Sequence, residues 1–142
     1  YGIEGLAAGP TKITIMLAEA DRLRGLRKFD LAYHKLAEVD ALMTNLPGTT
    51  YLKFMIENDK GNSARALIYA DQFANQLPND KRTLIALEYA SKEHLSKGNK
   101  AVAEDYALRI LRLDPTNTYW PAWFRSSFGY ESSVSEHNSA EQ

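Results

Sequence analysis

The tripeptide Lys-Gly-Asn occurs twice in this chain of 142 residues, and similar residues follow both copies at the same distances. The copies occupy positions 60–62 and 97–99. Alanine comes five and nine residues after each glycine, and proline comes seventeen residues after it. A repeated unit of this size cannot bury its apolar surface alone, so such units stack on one another. The repeat therefore predicts a stack of similar units that presents a binding surface.

Glycine and proline separate segments of helical length that are rich in Ala, Leu, Glu, Lys and Arg and poor in the alternating pattern of strands. We therefore predict an all-α fold. The expected helices span residues 12–26, 29–46, 50–59, 62–76, 80–96, 99–113 and 118–130.

The second helix of each predicted pair has small or apolar residues spaced four and then three apart, which places them on one helix face. The three sets are Ala32, Leu36 and Val39; Ala66, Ala70 and Phe73; and Ala103, Ala107 and Ile110. Alanine at the first place lets two helices approach to about 8 Å. The sets begin 34 and then 37 residues apart, so the third unit has three extra residues, which we place around 79–83.

The first unit is less regular than the other two. Arg27 stands where the other units have glycine, and Pro47 comes about three residues later than Pro78 and Pro115 do in their units. Because proline cannot donate to the helix ladder, we interpret these prolines as the ends of the units. The late Pro47 predicts a second helix that is one turn longer.

These features resemble the tetratricopeptide repeat family, in which helix pairs of about 34 residues carry a small residue at the turn, alanine in the second helix and proline at the end. The matching residues are Gly98, Ala103, Ala107, Leu111, Asp114 and Pro115; Gly61, Ala66, Ala70 and Pro78; and, less closely, Ala20, Leu23, Phe29 and Ala32. The resemblance implies a right-handed solenoid of three antiparallel helix pairs in a domain at 12–130. Its repeats would lie at about 13–47, 48–79 and 80–117, and a helix at 118–130 would cap the stack or begin another repeat. A generic helical solenoid is the alternative.

The same resemblance implies that the first helices line a concave groove for a peptide. The groove residues would be Asp21, Arg24, Tyr51, Met55, Asn58, Glu88, Tyr89 and Lys92. Each tyrosine could equally pack in the core, and Met55 favours the core. One subgroup of the family holds the carboxylate of an acidic chaperone tail with Lys, Arg and Asn. The matching places here hold Leu17, Asp21, Leu52, Ile85 and Tyr89, so we expect no binding of that type.

Aromatic residues concentrate near the carboxyl end of the predicted domain. On a helix that begins near Thr118, a broad stripe is formed by Trp120, Trp123, Phe124 and Phe128. One interpretation is a capping helix that buries this stripe on the third pair. The other is an exposed end face that binds a partner or lets the chain self-associate.

We predict a linker at residues 1–11, because they are rich in glycine. We predict a disordered tail at residues 131–142, because they are polar and show no periodicity. The chain begins with Tyr1 and has no basic or apolar leader, so we expect it to be part of a larger protein. Cysteine is absent, which is compatible with the cytoplasm and with the periplasm.

Composition and motifs argue against several function classes. The formal net charge of −1 argues against nucleic acid as the main partner. The apolar stretches are too short for direct membrane insertion. The three histidines lie apart from any second ligand, and no phosphate loop or nucleophile motif occurs. We therefore expect no metal, no cofactor and no catalytic residues.

The sequence predicts a noncatalytic scaffold for protein–protein interaction that binds a peptide segment or a partner domain. The alternative is an adaptor or chaperone of the bacterial cell envelope, in a secretion, pilus or exopolysaccharide apparatus, where similar repeat proteins are common.

Overall fold

The structure is a computed structural model and describes residues 11–129. This part of the chain contains seven α-helices, one 3₁₀ helix and no strand, which confirms the predicted all-α class. The linker at 1–11, apart from its last residue, and the tail at 131–142 lie outside the described residues.

The α-helices run in three successive pairs followed by a single helix. Their bounds are α1 Thr11–Gly25, α2 Phe29–Leu42, α3 Pro47–Asp59, α4 Ser63–Gln76, α5 Leu84–Ser96, α6 Lys100–Leu113 and α7 Tyr119–Phe128. The helices pack as the pairs α1–α2, α3–α4 and α5–α6; α3 also contacts both helices of the first pair, and α7 packs on α6. Contacts divide the chain between Leu77 and Pro78 into two compact units, of which the first holds α1 to α4 and the second holds α5 to α7.

The turn inside each helix pair has the same backbone conformation in all three copies. Its middle residue has a positive φ, which is 60° at Arg27, 75° at Gly61 and 84° at Gly98. Glycine adopts this left-handed conformation without steric cost, because it lacks a Cβ. The predicted separation of helical segments by glycine is thus confirmed at both Lys-Gly-Asn tripeptides, which lie in these turns. Arg27 adopts the same conformation at a cost of about 1 kcal/mol.

The three extra residues of the third repeat form the 3₁₀ helix Lys81–Thr83, inside the region predicted from the sequence. Its N-cap is Asp80, whose carboxylate accepts a hydrogen bond of 2.8 Å from the backbone N–H of Arg82. The hydroxyl of the buried Thr83 donates to the carbonyl of Asp80 at 2.7 Å. The insertion therefore lengthens the connection before α5 and leaves the helix pair itself unchanged.

The prediction of a longer second helix is wrong. Helix α2 ends at Leu42 and has 14 residues, as α4 and α6 do. Asn45 has a φ of 56° in the connection that follows, and Pro47 is the first residue of α3. Proline suits that place because its fixed φ is helical and its missing N–H would have no partner there. Pro47 therefore begins a repeat, whereas Pro78 and Pro115 each follow the end of a second helix.

The residues of the repeated pattern form the core of each pair. All nine residues of the three sets given above are buried, and none is more than 4% exposed. In the first unit, a cluster from α1, α2 and α3 contains Leu17, Ala20, Leu36, Val39, Leu52 and Ile56. In the second unit, Phe128 of α7 packs with Ala103 and Ala107 of α6. The spacing in the sequence thus identified the buried face of every second helix.

Candidate functional site

Predicted groove residues of the first two pairs meet on one surface of the first unit. The guanidinium of Arg24 in α1 donates to Asp21 at 2.8 and 3.0 Å, and it donates to Asp59 of α3 at 2.7 Å. Burial alone would lower the pKa of Arg24, but the hydrogen bonds to Asp59 and Asp21, together with the charges of both carboxylates, raise it above its usual value. We call the predicted residues here, Asp21 and Arg24 with Tyr51, Met55 and Asn58, the α1–α3 surface.

Tyr51 of this surface takes part in packing and is also accessible. Its ring lies 5.0 Å from that of Phe73 and 6.0 Å from that of Phe54, between ring centroids, and the residue is half-buried. Burial raises the pKa of its hydroxyl. Met55 is also half-buried and Asn58 is exposed. Both share the helix face of Tyr51 through their spacing of four and seven residues.

Sequence reasoning missed Asp59 as a residue of this surface. Its side chain is 27% exposed, and its bond to Arg24 joins the first helix of one pair to the first helix of the next. The signal was present, since Asp59 follows Met55 by four residues and thus lies on the same helix face.

Predicted groove residues and predicted end-face residues form one cluster in the second unit. Lys92 donates to the carboxylate of Glu88 at 2.7 Å, which raises the pKa of the lysine. The hydroxyl of Tyr119 donates to the same carboxylate oxygen at 3.2 Å. The ammonium of Lys92 also lies 5.9 Å from the ring centroid of Trp123. We call Glu88, Lys92, Tyr119, Trp120 and Trp123 the α5–α7 cluster.

The aromatic rings of α7 form a continuous series of edge contacts. Centroids lie 4.7 Å apart from Tyr119 to Trp120, 6.0 Å from Trp120 to Trp123, and 6.2 Å from Trp123 to Phe128. The indole N–H of Trp120 donates to Asp114 at 2.7 Å. Phe128 is only 7% exposed, whereas Tyr119 is 51% exposed.

The predicted aromatic stripe is thus buried at Phe128 and partly accessible over the rest of its length. Phe124 and both tryptophans are half-buried. The remaining predicted groove residue of this unit, Tyr89, is also half-buried. Burial and the negative charge of Glu93 raise the pKa of the Tyr89 hydroxyl.

A buried polar pair in the first unit was not expected from the sequence. Glu57 of α3 has no exposed surface, and its carboxylate accepts a hydrogen bond from the hydroxyl of Tyr33 in α2. Lys60 lies 3.8 Å from the same oxygen. The other carboxylate oxygen has no hydrogen-bond partner among the described residues. Burial, followed by the bond to Glu57, raises the pKa of Tyr33 far above its usual value.

The repeat itself contained the signal for this pair. Glu57 falls at the place of Leu23 in the first copy and of His94 in the third. Leu23 is buried, so a carboxylate at the same place must be buried or must distort the helix pair.

A shallow cavity of about 310 Å³ lies beside Tyr33 and is also lined by Asp30, His34 and Ala37.

The described part of the chain has no group of three or more His, Asp or Glu side chains that could hold a metal ion. None of its helices combines the length and the apolarity that a bilayer span requires. Comparisons with protein-family models, with curated proteins and with solved structures find no significant match to this chain.

Proposed function

We propose that this chain is a noncatalytic protein-interaction module of the tetratricopeptide type that binds a peptide segment of a partner protein on the α1–α3 surface. The recurrence of one helix pair, with the same turn and the same buried face, supports the repeat assignment. Within the first unit, α3 packs against both helices of the preceding pair, as stacking of repeats requires. Each helix pair buries the patterned residues of its second helix and leaves side chains of its first helix available for a ligand.

The observation that carries this proposal is the ion pair between Arg24 and Asp59. It joins two first helices, so that side chains from different pairs share one surface. That surface combines a half-buried tyrosine and methionine with charged and amide groups. Tyrosine supplies a large and rigid contact area, and methionine adapts to irregular shapes. The polar groups fix the direction of a bound backbone through hydrogen bonds.

A display library of random dodecapeptides, panned against the immobilised chain, tests the proposal. Enriched peptides are labelled and their dissociation constants are measured by fluorescence polarisation. Because a few central residues supply most of the energy of an interface, Tyr51→Ala is expected to weaken binding at least ten-fold. Asn58→Ala, which removes an exposed side chain without touching the core, is expected to weaken binding about three-fold.

Gln72→Ala is the matched control, because Gln72 is exposed on α4, a second helix of the same unit. It should leave the dissociation constant unchanged. Circular dichroism of each variant separates loss of binding from loss of folding. The proposal is rejected if no peptide is enriched, or if folded Tyr51→Ala and Asn58→Ala variants bind the enriched peptides as well as Gln72→Ala does.

A further inference from the structure

The α5–α7 cluster holds a lysine ammonium group in the free chain. Glu88 accepts its hydrogen bond at 2.7 Å, and the ring of Trp123 lies 5.9 Å away on a different helix. The hydroxyl of Tyr119, in α7, donates a hydrogen bond to the same carboxylate. The group that occupies this place is Lys92, which belongs to the same helix as Glu88.

The surroundings of this ammonium have the chemistry of a cation-binding site. A carboxylate supplies a charge-assisted hydrogen bond, and the face of an indole ring attracts a cation through its quadrupole. Glu88 is the more enclosed partner, since its side chain is only 25% exposed and its carboxylate accepts hydrogen bonds from two donors, Lys92 and Tyr119. Lys92 is 52% exposed and has a long flexible side chain, so water can replace its contacts when it leaves.

We propose that the Glu88 carboxylate and the Trp123 ring form a binding site for the ammonium group of a lysine side chain on a partner peptide, and that Lys92 occupies this site until the partner displaces it. The inference rests on the proposed function, because it names a chemical group by which a partner peptide is recognised at the α5–α7 cluster. Lys92 then acts as an internal competitor, and it lowers the affinity of the site for every external lysine.

The geometry favours an unmodified lysine over a quaternary ammonium group. The short contact to Glu88 requires an N–H donor, which a trimethylated nitrogen lacks. Trp123 is one ring beside the cation, whereas recognition of quaternary ammonium depends on several rings around it. Acetylation removes the charge, and with it the ion pair to Glu88 and the cation–π attraction, and leaves only a neutral amide N–H, so an acetylated lysine should not bind measurably.

The two tryptophans of the chain, Trp120 and Trp123, both belong to this cluster, so their indole N–H signals report on it specifically. The test records these signals in ¹⁵N-labelled protein during titration with Nα-acetyl-lysine methylamide. Parallel titrations use the Nε-trimethylated and the Nε-acetylated forms. The proteins are the intact chain and the variants Lys92→Ala, Lys97→Ala and Glu88→Gln.

We expect the lysine amide to shift the Trp123 signal. It should bind the Lys92→Ala variant about five-fold more tightly than the intact chain, because a five-fold change in affinity corresponds to the free energy of one exposed ion pair with a cation–π contact. Lys97→Ala removes the same charge just after the end of α5 and should behave as the intact chain. Glu88→Gln should lose at least three-fold in affinity, and the acetylated form should not bind. Foldedness is read from the dispersion of the backbone signals.

The proposal is overturned if Lys92→Ala and Lys97→Ala bind the lysine amide equally, if Glu88→Gln binds as well as the intact chain, or if the trimethylated form binds more tightly than the lysine amide. The probe is a single amino-acid derivative and needs no peptide groove. Failure of the peptide-display experiment with success here would therefore reject the proposed function and leave the ammonium site intact.

Discussion

Removing the hydroxyl of Tyr33 should destabilise the first unit through the carboxylate that it leaves behind. In the native structure Glu57 is fully buried, one of its oxygens accepts from Tyr33, and the other has no partner among the described residues. The change Tyr33→Phe keeps the ring and removes only the donor. It therefore converts a poorly satisfied buried charge into one whose nearest remaining partner is Lys60, at 3.8 Å.

The expected loss of stability follows from the charge of the acceptor. A hydrogen bond to a charged group contributes about 1.5 to 3 kcal/mol, and an unsatisfied buried charge costs more than an unsatisfied neutral group. Lys60 compensates for part of this loss, so we expect Tyr33→Phe to lower the free energy of unfolding by about 2 kcal/mol. At a typical urea m value of about 1 to 3 kcal/mol/M, the midpoint falls by roughly 1 M.

The double variant Tyr33→Phe with Glu57→Leu should recover most of that loss. Leucine stands at the equivalent place in the first copy, where Leu23 is buried, so the helix pair accommodates that side chain. Replacing a buried ionic group and its partner together by apolar residues is often neutral or stabilising. Urea denaturation of the intact chain, of Tyr33→Phe, of Glu57→Leu and of the double variant, followed by far-ultraviolet circular dichroism, gives the coupling energy, which we expect to be about 1.5 to 2 kcal/mol.

The alkaline range provides a second readout of the same pair. The folded pKa of Tyr33 lies above the unfolded value of about 10, so its contribution to stability is fully present below pH 10 and decreases as the pH rises beyond it. The stability difference between the intact chain and Tyr33→Phe should therefore shrink from pH 9 to pH 11. The reasoning is refuted if Tyr33→Phe lowers the free energy of unfolding by less than about 0.5 kcal/mol at pH 7, which is the range of substitutions at exposed positions. It is also refuted if the stability difference between the two proteins stays constant up to pH 11.

Two further predictions concern the turns. Gly61→Ala should destabilise the first unit by about 1 kcal/mol, because the φ of Gly61 is 75° and therefore left-handed, although the space around the residue is open. Gly25→Ala is the matched control: Gly25, at the end of α1, also has open space around it, so this change should be neutral or stabilise the unit by up to about 1 kcal/mol. Thermal unfolding compares the two variants, and equal effects would contradict the argument from the backbone. The side-chain hydrogen bonds of Arg82, followed by its backbone N–H, hold the pKa of Asp80 down to about 2. The contribution of this cap is therefore fully present above the unfolded pKa near 4 and is lost as the pH falls through 2. The stability difference between the intact chain and Asp80→Ala, expected to be about 1 kcal/mol at pH 7, should shrink steadily from pH 4 to pH 2, and a difference that stayed constant over this range would count against the cap.

Local patterns in the sequence were sufficient for the helix pairs and for the buried face of each second helix. The spacing of four and three residues specifies one face of a helix, whatever surrounds it, and only a packed face needs alanine at the same place in every copy. The same reasoning located the three-residue insertion. It failed at Pro47, because proline is compatible both with the start of a helix and with the segment after one, and the choice depended on the left-handed Asn45 before it.

The candidate surfaces could be predicted only in part. Helical spacing put Tyr51, Met55 and Asn58 on one face, and this needs no knowledge of neighbouring helices. The contact between Lys92 and Trp123 depends on how α7 packs, since 31 residues separate the two in the sequence. No local pattern encodes such a distance.

The sequence by itself thus determined the helices, their turns and their apolar faces, because these depend on backbone preferences and on spacing along one helix. The tertiary structure alone decided that a carboxylate at 57 meets the hydroxyl of Tyr33 in the interior and that Glu88 shares its lysine with a ring of α7. Both are long-range pairings of side chains. Their partners are selected by the packing of whole helices, which a repeat pattern constrains but does not specify.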